Sequence, residues 1–204
     1  HAWNNIFYNL GSGVYNSYRA GVLYNNTFQN CTIGVENLGT MTLKNSLFSS
    51  CTTAATGTFA AGTDYNATNN ASMEYTVTGG GNTHDRLSQT FTFFIDETGD
   101  NFHLASNDAG ARDFGIDLSA DANLAFSDDI DGQARTGTWD IGADEFIDTV
   151  PNAPTSLGPA SSTDGSWTAS TSPSLTFSLS DPDTADTVKY QIQIATSSNF
   201  SSLT

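Results

Sequence analysis

Short apolar runs separated by Asn- and Gly-rich turns fill the first 60 residues. Gly21-Val22-Leu23-Tyr24-Asn25-Asn26-Thr27-Phe28 shows the form: a short run, a polar corner, then the start of another run. Alternation over three to five residues predicts short strands. The pattern also returns on itself. Asn5-Ile6-Phe7 recurs as Asn26-Thr27-Phe28 and, loosely, as Asn45-Ser46-Leu47. Gly13-Val14 recurs as Gly34-Val35, and Cys31 as Cys51. A period of about 20 residues marks a solenoid. A unit this short cannot bury its own apolar side, so successive units stack, with parallel strands about 4.8 Å apart. The expected fold is all-β, a parallel β-helix.

Stacking places equivalent residues in ladders. The repeat predicts an internal ladder of Phe7, Phe28 and Leu47, or Phe48 if the last coil slips by one. It predicts a corner ladder of Asn5, Asn26 and Asn45, each amide bonding its neighbour. Asn also suits a corner for its tolerance of left-handed backbone, so the ladder reads as structural. Cys31 should lie over Cys51. Their spacing falls within disulfide reach, but side chains stacked in parallel point alongside each other, which favours two buried thiols over a bridge.

Regularity fades after residue 52. Met73 to Thr78 reads as a strand, Gly79-Gly80-Gly81-Asn82 as a flexible turn, and Phe91-Thr92-Phe93-Phe94-Ile95 as a buried strand. Residues 101–147 no longer repeat. A solenoid needs an atypical terminal unit over the open end of its core, and Trp139, Ile141 and Phe146 are the residues to supply it.

Residues 148–156 form a polar linker with two prolines. Beyond it, Leu175–Leu179 and Val188–Ala195 alternate with period two around Asp181-Pro182-Asp183, as sandwich strands do. The expected organisation is therefore a β-helix over 1–147, a linker over 148–156 and a partial β-sandwich over 157–204. The last resembles the middle of fibronectin type III or immunoglobulin-like modules, which need about 100 residues.

The landmarks from residue 64 onward carry a more specific resemblance. Asp64-Tyr65-Asn66, Phe102-His103-Leu104, Asp131-Gly132-Gln133-Ala134-Arg135 and Asp140-Ile141-Gly142-Ala143-Asp144-Glu145 occur in that order. This resembles the C-terminal part of bacterial secreted right-handed parallel β-helix proteins of the pectate-lyase-like superfamily, of the choice-of-anchor Q kind. The likeness spans about residues 1–147. One departure is Asp144, where Tyr is usual. The resemblance implies a right-handed helix closed by its Asp-Ile-Gly-Ala run, and secretion. It implies no particular reaction.

Charge narrows the partners. Six basic residues against 22 acidic ones leave a net charge of −16, which repels phosphate backbones and anionic membrane surfaces and attracts divalent cations. No apolar run is long enough for a transmembrane helix. His1 falls inside a repeat, so the chain is expected to begin within a larger protein.

Candidate chemistry is sparse. A β-helix lyase needs a Lys or Arg base beside metal-holding carboxylates. Lys44 and Arg19 lie in the coils without such a cluster, and Lys44 reads as an exposed strand or turn residue. A glycoside hydrolase needs two carboxylates about 5–10 Å apart. Glu36 is the sole acidic residue before Asp64, so any active site lies before His1 or between residues 64 and 145. Asp128-Asp129-Ile130-Asp131-Gly132 is not an EF-hand, since Ser127 and Thr138 would hold its first and twelfth positions. Asp129 and Asp131 remain a candidate calcium pair; otherwise the stretch is an acidic turn braced by Arg135. Calcium is the only cofactor the sequence suggests. His1, His84 and His103 are too scattered for a zinc site, and His103 reads as a packed strand residue. The expected function is a non-catalytic secreted or cell-surface structural or adhesive module that contacts polysaccharide or cell-surface glycan through exposed Tyr and Asn. The alternative is part of a polysaccharide lyase or glycoside hydrolase whose active face lies before His1.

Overall fold

The computed structural model describes residues 1–89, 94–158, 174–183 and 187–192. The chain divides into two compact units, His1–Ile147 and Asp148–Thr204.

The first unit is a parallel β-solenoid of about four turns with three sheets. One sheet holds β1 (Ala2–Trp3), β4 (Ala20–Tyr24) and β7 (Thr40–Lys44). The second holds β2 (Ile6–Tyr8), β5 (Thr27–Gln29), β8 (Leu47–Ser49) and β10 (Ala67–Thr68). The third holds β3 (Ser12–Asn16), β6 (Ile33–Asn37), β9 (Thr53–Phe59) and β11 (Tyr75–Val77). Each strand pairs with its equivalent one coil on. The expected strand over Met73–Thr78 shortens to β11.

The internal ladder runs Phe7, Phe28, Phe48. Ring centroids are 4.9 and 4.8 Å apart, and planes are 9° and 7° from parallel. Phe28 and Phe48 are fully buried, and each parallel ring pair adds about 0.5–1.5 kcal/mol beyond its burial. Glycine makes room for these rings. A Cβ at Gly34 would stand 2.6 Å from the Phe48 ring and 2.4 Å from the Ala54 carbonyl oxygen.

The choice of Phe48 over Leu47 corrects the Asn ladder as well. Coils one and two are offset by 21 residues, as in the Asn5–Asn26 pair. Coils two and three are offset by 20, so Asn45 stacks on Asn25 and not on Asn26. Two adjacent asparagines at residues 25 and 26 made either register readable. The side-chain period of two decides it: a one-residue slip would have turned Phe48 out and Leu47 in. The real ladders are Asn4–Asn25–Asn45 and Asn5–Asn26–Ser46–Asn66. Asn66 Oδ1 accepts the Ser46 amide at 2.9 Å, and Asn26 Oδ1 the Asn5 amide at 3.1 Å. Cys31 and Cys51 are buried free thiols, within hydrogen-bond reach of the Phe7 and Phe28 carbonyls respectively.

Residues 101–147 do not lie over the end of the core. They run along its side and cover the outward faces of two sheets. Ile141 packs with Leu47, Ala67, Phe94, Phe102 and Leu104, with Phe146 at the margin. Trp139 packs with Val22, Tyr24 and Leu118. Side chains alternate across each strand, so Leu47 and Tyr24 point out where Phe48 and Leu23 point in. Apolar outward positions need cover, and this segment supplies it. Corner asparagines pin it: Asn25 donates to the Asp140 and Gly142 carbonyls at 3.0 and 3.1 Å, and Asn45 donates to the Ile116 carbonyl at 2.8 Å.

β12 (Phe94–Asp96) pairs antiparallel with β13 (Asn101–Leu104), the strand that opens the covering segment. The rest of the expected strand there, Phe91–Phe93, lies outside the described residues. In the second unit, β14 (Thr155–Gly158) pairs antiparallel with β15 (Thr176–Ser178). So β14 begins within the stretch read as linker. Residues 187–192 are not strand, contrary to the expectation for Val188–Ala195, whose last three residues lie outside the described set. Tyr190 nonetheless packs edge-on against Phe177 at 4.9 Å.

Candidate functional site

The corner between the first and second sheets demands left-handed backbone in every coil. Asn4, Asn25 and Asn45 adopt it with φ of 53°, 49° and 49°. Asn meets this demand at low cost. The equivalent position in the fourth coil is Tyr65, with φ of 61°. A bulky aromatic residue in this region costs on the order of 1–3 kcal/mol, and such strain concentrates at functional sites.

The same corner continues into the segment after β11 through parallel pairing of Ala67 with Arg86. This stacks His84 on Tyr65, with ring centroids 4.4 Å apart and planes 4° from parallel. Asp64 holds His84 twice. Its Oδ1 accepts the His84 amide at 2.8 Å, and its Oδ2 lies 2.7 Å from Nδ1. The His84 side chain is 56% exposed, and its Nε2 has no hydrogen-bond partner among the described residues.

Tyr65 and His84 line a cleft of about 430 Å³ together with Thr83, Asp85, Arg86, Asp113, Phe114, Gly115 and Thr138. Several of its charged groups are committed to structure. Asp85 accepts from the Asn66 amide, the Tyr75 hydroxyl and Asn82, and burial raises its pKa despite those bonds. Arg86 donates to the Gly110 and Ala109 carbonyls and lies over the Phe114 ring, 3.3 Å from its centroid. The Asp113 carboxylate has no hydrogen-bond partner among the described residues. The cleft thus offers ring surface, one uncommitted carboxylate, hydroxyls and an imidazole.

A second cluster lies on the covering segment. Asp129 and Asp131, the candidate calcium pair, have different partners. Asp129 is buried; its Oδ1 accepts the Asp131 and Gln133 amides at 2.9 and 2.8 Å, and its Oδ2 the Glu145 amide at 3.2 Å. Asp131 turns outward to His103, whose Nε2 is 2.8 Å from its Oδ2. His103 is therefore a half-exposed side chain facing an acid and not a packed strand residue. Ligand atoms of His103, Asp131 and Asp144 all lie within 4.8 Å of one another. Arg135 does brace the turn, donating to the Asp128 carbonyl at 3.0 Å, but its ion pair is with Glu145 at 3.1 Å.

Lys44 is not an exposed strand residue. It pairs with Asp121 at 2.8 Å and lies 5.3 Å from the Tyr24 ring centroid. Sequence reasoning missed the Tyr65 corner, although Asn4, Asn25, Asn45 and Tyr65 were visible at coil spacing once the 20-residue step is known. It named Asp131 as a candidate metal ligand but had no route to His103 and Asp144 as its companions, since one lies on β13 and the other about 40 residues further on. Comparison of the chain with protein-family models, curated proteins and solved structures found no match in any of the three.

Proposed function

We propose that this chain is a non-catalytic secreted or cell-surface β-solenoid module that binds glycan in the cleft beside Tyr65. In this reading it is the C-terminal part of a right-handed helix of the pectate-lyase-like superfamily, choice-of-anchor Q kind, followed by a partial β-sandwich module. The motif order from Asp64 to Glu145 supports that assignment.

One observation carries the glycan reading. The fold repeats Asn at a strained corner three times and then places Tyr there, stacked on His84 and facing a cleft with Phe114. Apolar ring surface with a few convergent polar groups suits small-molecule recognition, and a sugar ring presents apolar C–H faces and an edge of hydroxyls. Binding is favoured over hydrolysis by the carboxylate inventory. Hydrolysis needs two carboxylates in defined roles, and Asp85 is committed to Asn66, Tyr75 and Asn82. A second reading, a polysaccharide lyase or glycoside hydrolase, draws on the Asp64–His84 pair, an oriented imidazole of the kind general bases use.

A glycan array probed in parallel with a polysaccharide-cleavage assay separates the two. Retention of a defined glycan without turnover supports the module. Turnover abolished by His84→Ala supports the enzyme and overturns the first reading, and no binding to any glycan overturns it too.

A further inference from the structure

His103 stands on β13 with both ring nitrogens facing acceptors. Nδ1 is 2.6 Å from Asn101 Oδ1, and Nε2 is 2.8 Å from Asp131 Oδ2. A neutral imidazole carries one N–H. With that proton on Nδ1, bonded to Asn101, the lone pair of Nε2 points at the Asp131 carboxylate 2.8 Å away, a contact that either a second ring proton or a bound cation satisfies. A carboxylate bonded from Nδ1–H is the usual outer support of a metal-ligating histidine, and a side-chain carbonyl serves as well.

Asp144 completes the set. It is 5% exposed, its Oδ2 accepts the Leu104 amide at 2.7 Å, and its Oδ1 has no donor among the described residues. It is thus a nearly buried carboxylate with an oxygen within 4.8 Å of both a His103 ring nitrogen and an Asp131 carboxylate oxygen. Nearby charge is unbalanced, because Arg135 is paired with Glu145 and Asp129 adds another negative charge. Asp129 shapes the turn that presents Asp131, through the bond to the Asp131 amide.

We infer that His103, Asp131 and Asp144 form a binding site for a divalent transition-metal ion of the zinc class. One nitrogen and two oxygen donors suit such ions better than calcium, which takes six to eight oxygens. Three protein ligands leave a coordination position for water or a ligand group. Asp131 and His103 are exposed, so an entry path exists. The site joins β13 to the turn at 128–134 and to the Asp-Ile-Gly-Ala segment, which gives it a role in holding the cover. The inference does not rest on the glycan reading.

The test is calorimetric titration of chelator-treated protein with Zn²⁺, and separately with Ca²⁺, together with thermal melting. The expected result is one Zn²⁺ per chain and a Zn²⁺-dependent rise in melting temperature. Binding should weaken at least roughly tenfold in His103→Ala and in Asn101→Ala. His103 and Asn101 make no core contact that these changes would remove, and circular dichroism checks that the variants fold. The inference is overturned by no Zn²⁺ binding, by Zn²⁺ binding unchanged in His103→Ala, or by Ca²⁺ binding more tightly than Zn²⁺.

Discussion

Tyr65 lies flat on His84, their ring centroids 4.4 Å apart, at a corner where three earlier coils carry Asn. The pair converts a structural ladder into a surface with chemical character. Its backbone strain sets the first expectation. In Tyr65→Asn, the left-handed conformation is occupied by a residue that tolerates it. The variant should fold at least as stably as the parent, by up to about 1 kcal/mol after loss of the ring stack, while losing glycan binding. Urea unfolding measures the first and a binding assay the second. A clear loss of stability would mean the ring, not the backbone, dominates at this corner.

The Phe7–Phe28–Phe48 stack is the next point of leverage. Phe28 is fully buried between two parallel rings. Phe28→Ala should cost about 3–5 kcal/mol, the range for a buried Phe. Gly34→Ala should also destabilise, because its Cβ would meet backbone and the Phe48 ring at 2.4 and 2.6 Å. Denaturation midpoints at constant m-value report both. An unchanged midpoint in Phe28→Ala would contradict the stacking of Phe28 between Phe7 and Phe48.

Much of this fold was legible in the sequence. Phe, Asn, Gly and Cys recur where the coils repeat, because parallel stacking demands like residues above like. What failed was register at residues 25–26 and 45–47, where neighbouring asparagines fit two offsets equally. The covering role of Trp139 and Ile141 was also misplaced. Their need for burial was visible, but the outward apolar positions they meet, Tyr24 and Leu47, look like ordinary strand residues until the inward face is fixed. Of the His103 cluster only Asp131 was legible as a candidate ligand, since hydrogen bonding and not spacing brings Asp144 to β13.

The cysteines give a third test. Cys31 and Cys51 are free and buried, and contact with Cys31 together with burial keeps the Cys51 thiol protonated well above the usual range. A thiol reagent should label neither in the folded protein and both in guanidinium. Rapid labelling under native conditions would contradict the packing of coils two and three.

Acid carboxyls set the pH response. Burial pushes Asp140 up to about 7, with Glu145 adding repulsion, even though the Asp113 and Phe146 amides donate to it. Asp85 and Asp108 are raised by burial as well. The folded state therefore holds protons that the unfolded chain releases from about pH 4. This stabilisation is complete below the unfolded pKa and is lost as pH rises through the folded one. Stability should fall between about pH 4 and 7, with Asp140 contributing up to about 1.4 kcal/mol per pH unit. Asp140→Asn should flatten that slope by up to one proton. An identical slope in the variant would place the titration elsewhere.

The most direct test of the glycan site is calorimetric titration with whichever glycan the array selects. The parent, Tyr65→Ala and a distant control, Tyr15→Ala, are compared at one salt concentration. Binding to the parent and the control alike, with a loss of roughly tenfold or more in Tyr65→Ala, is the result expected if the fourth-coil corner is the site, since an aromatic contact of about 1.4 kcal/mol corresponds to a factor of ten. Equal affinity in all three proteins would contradict it.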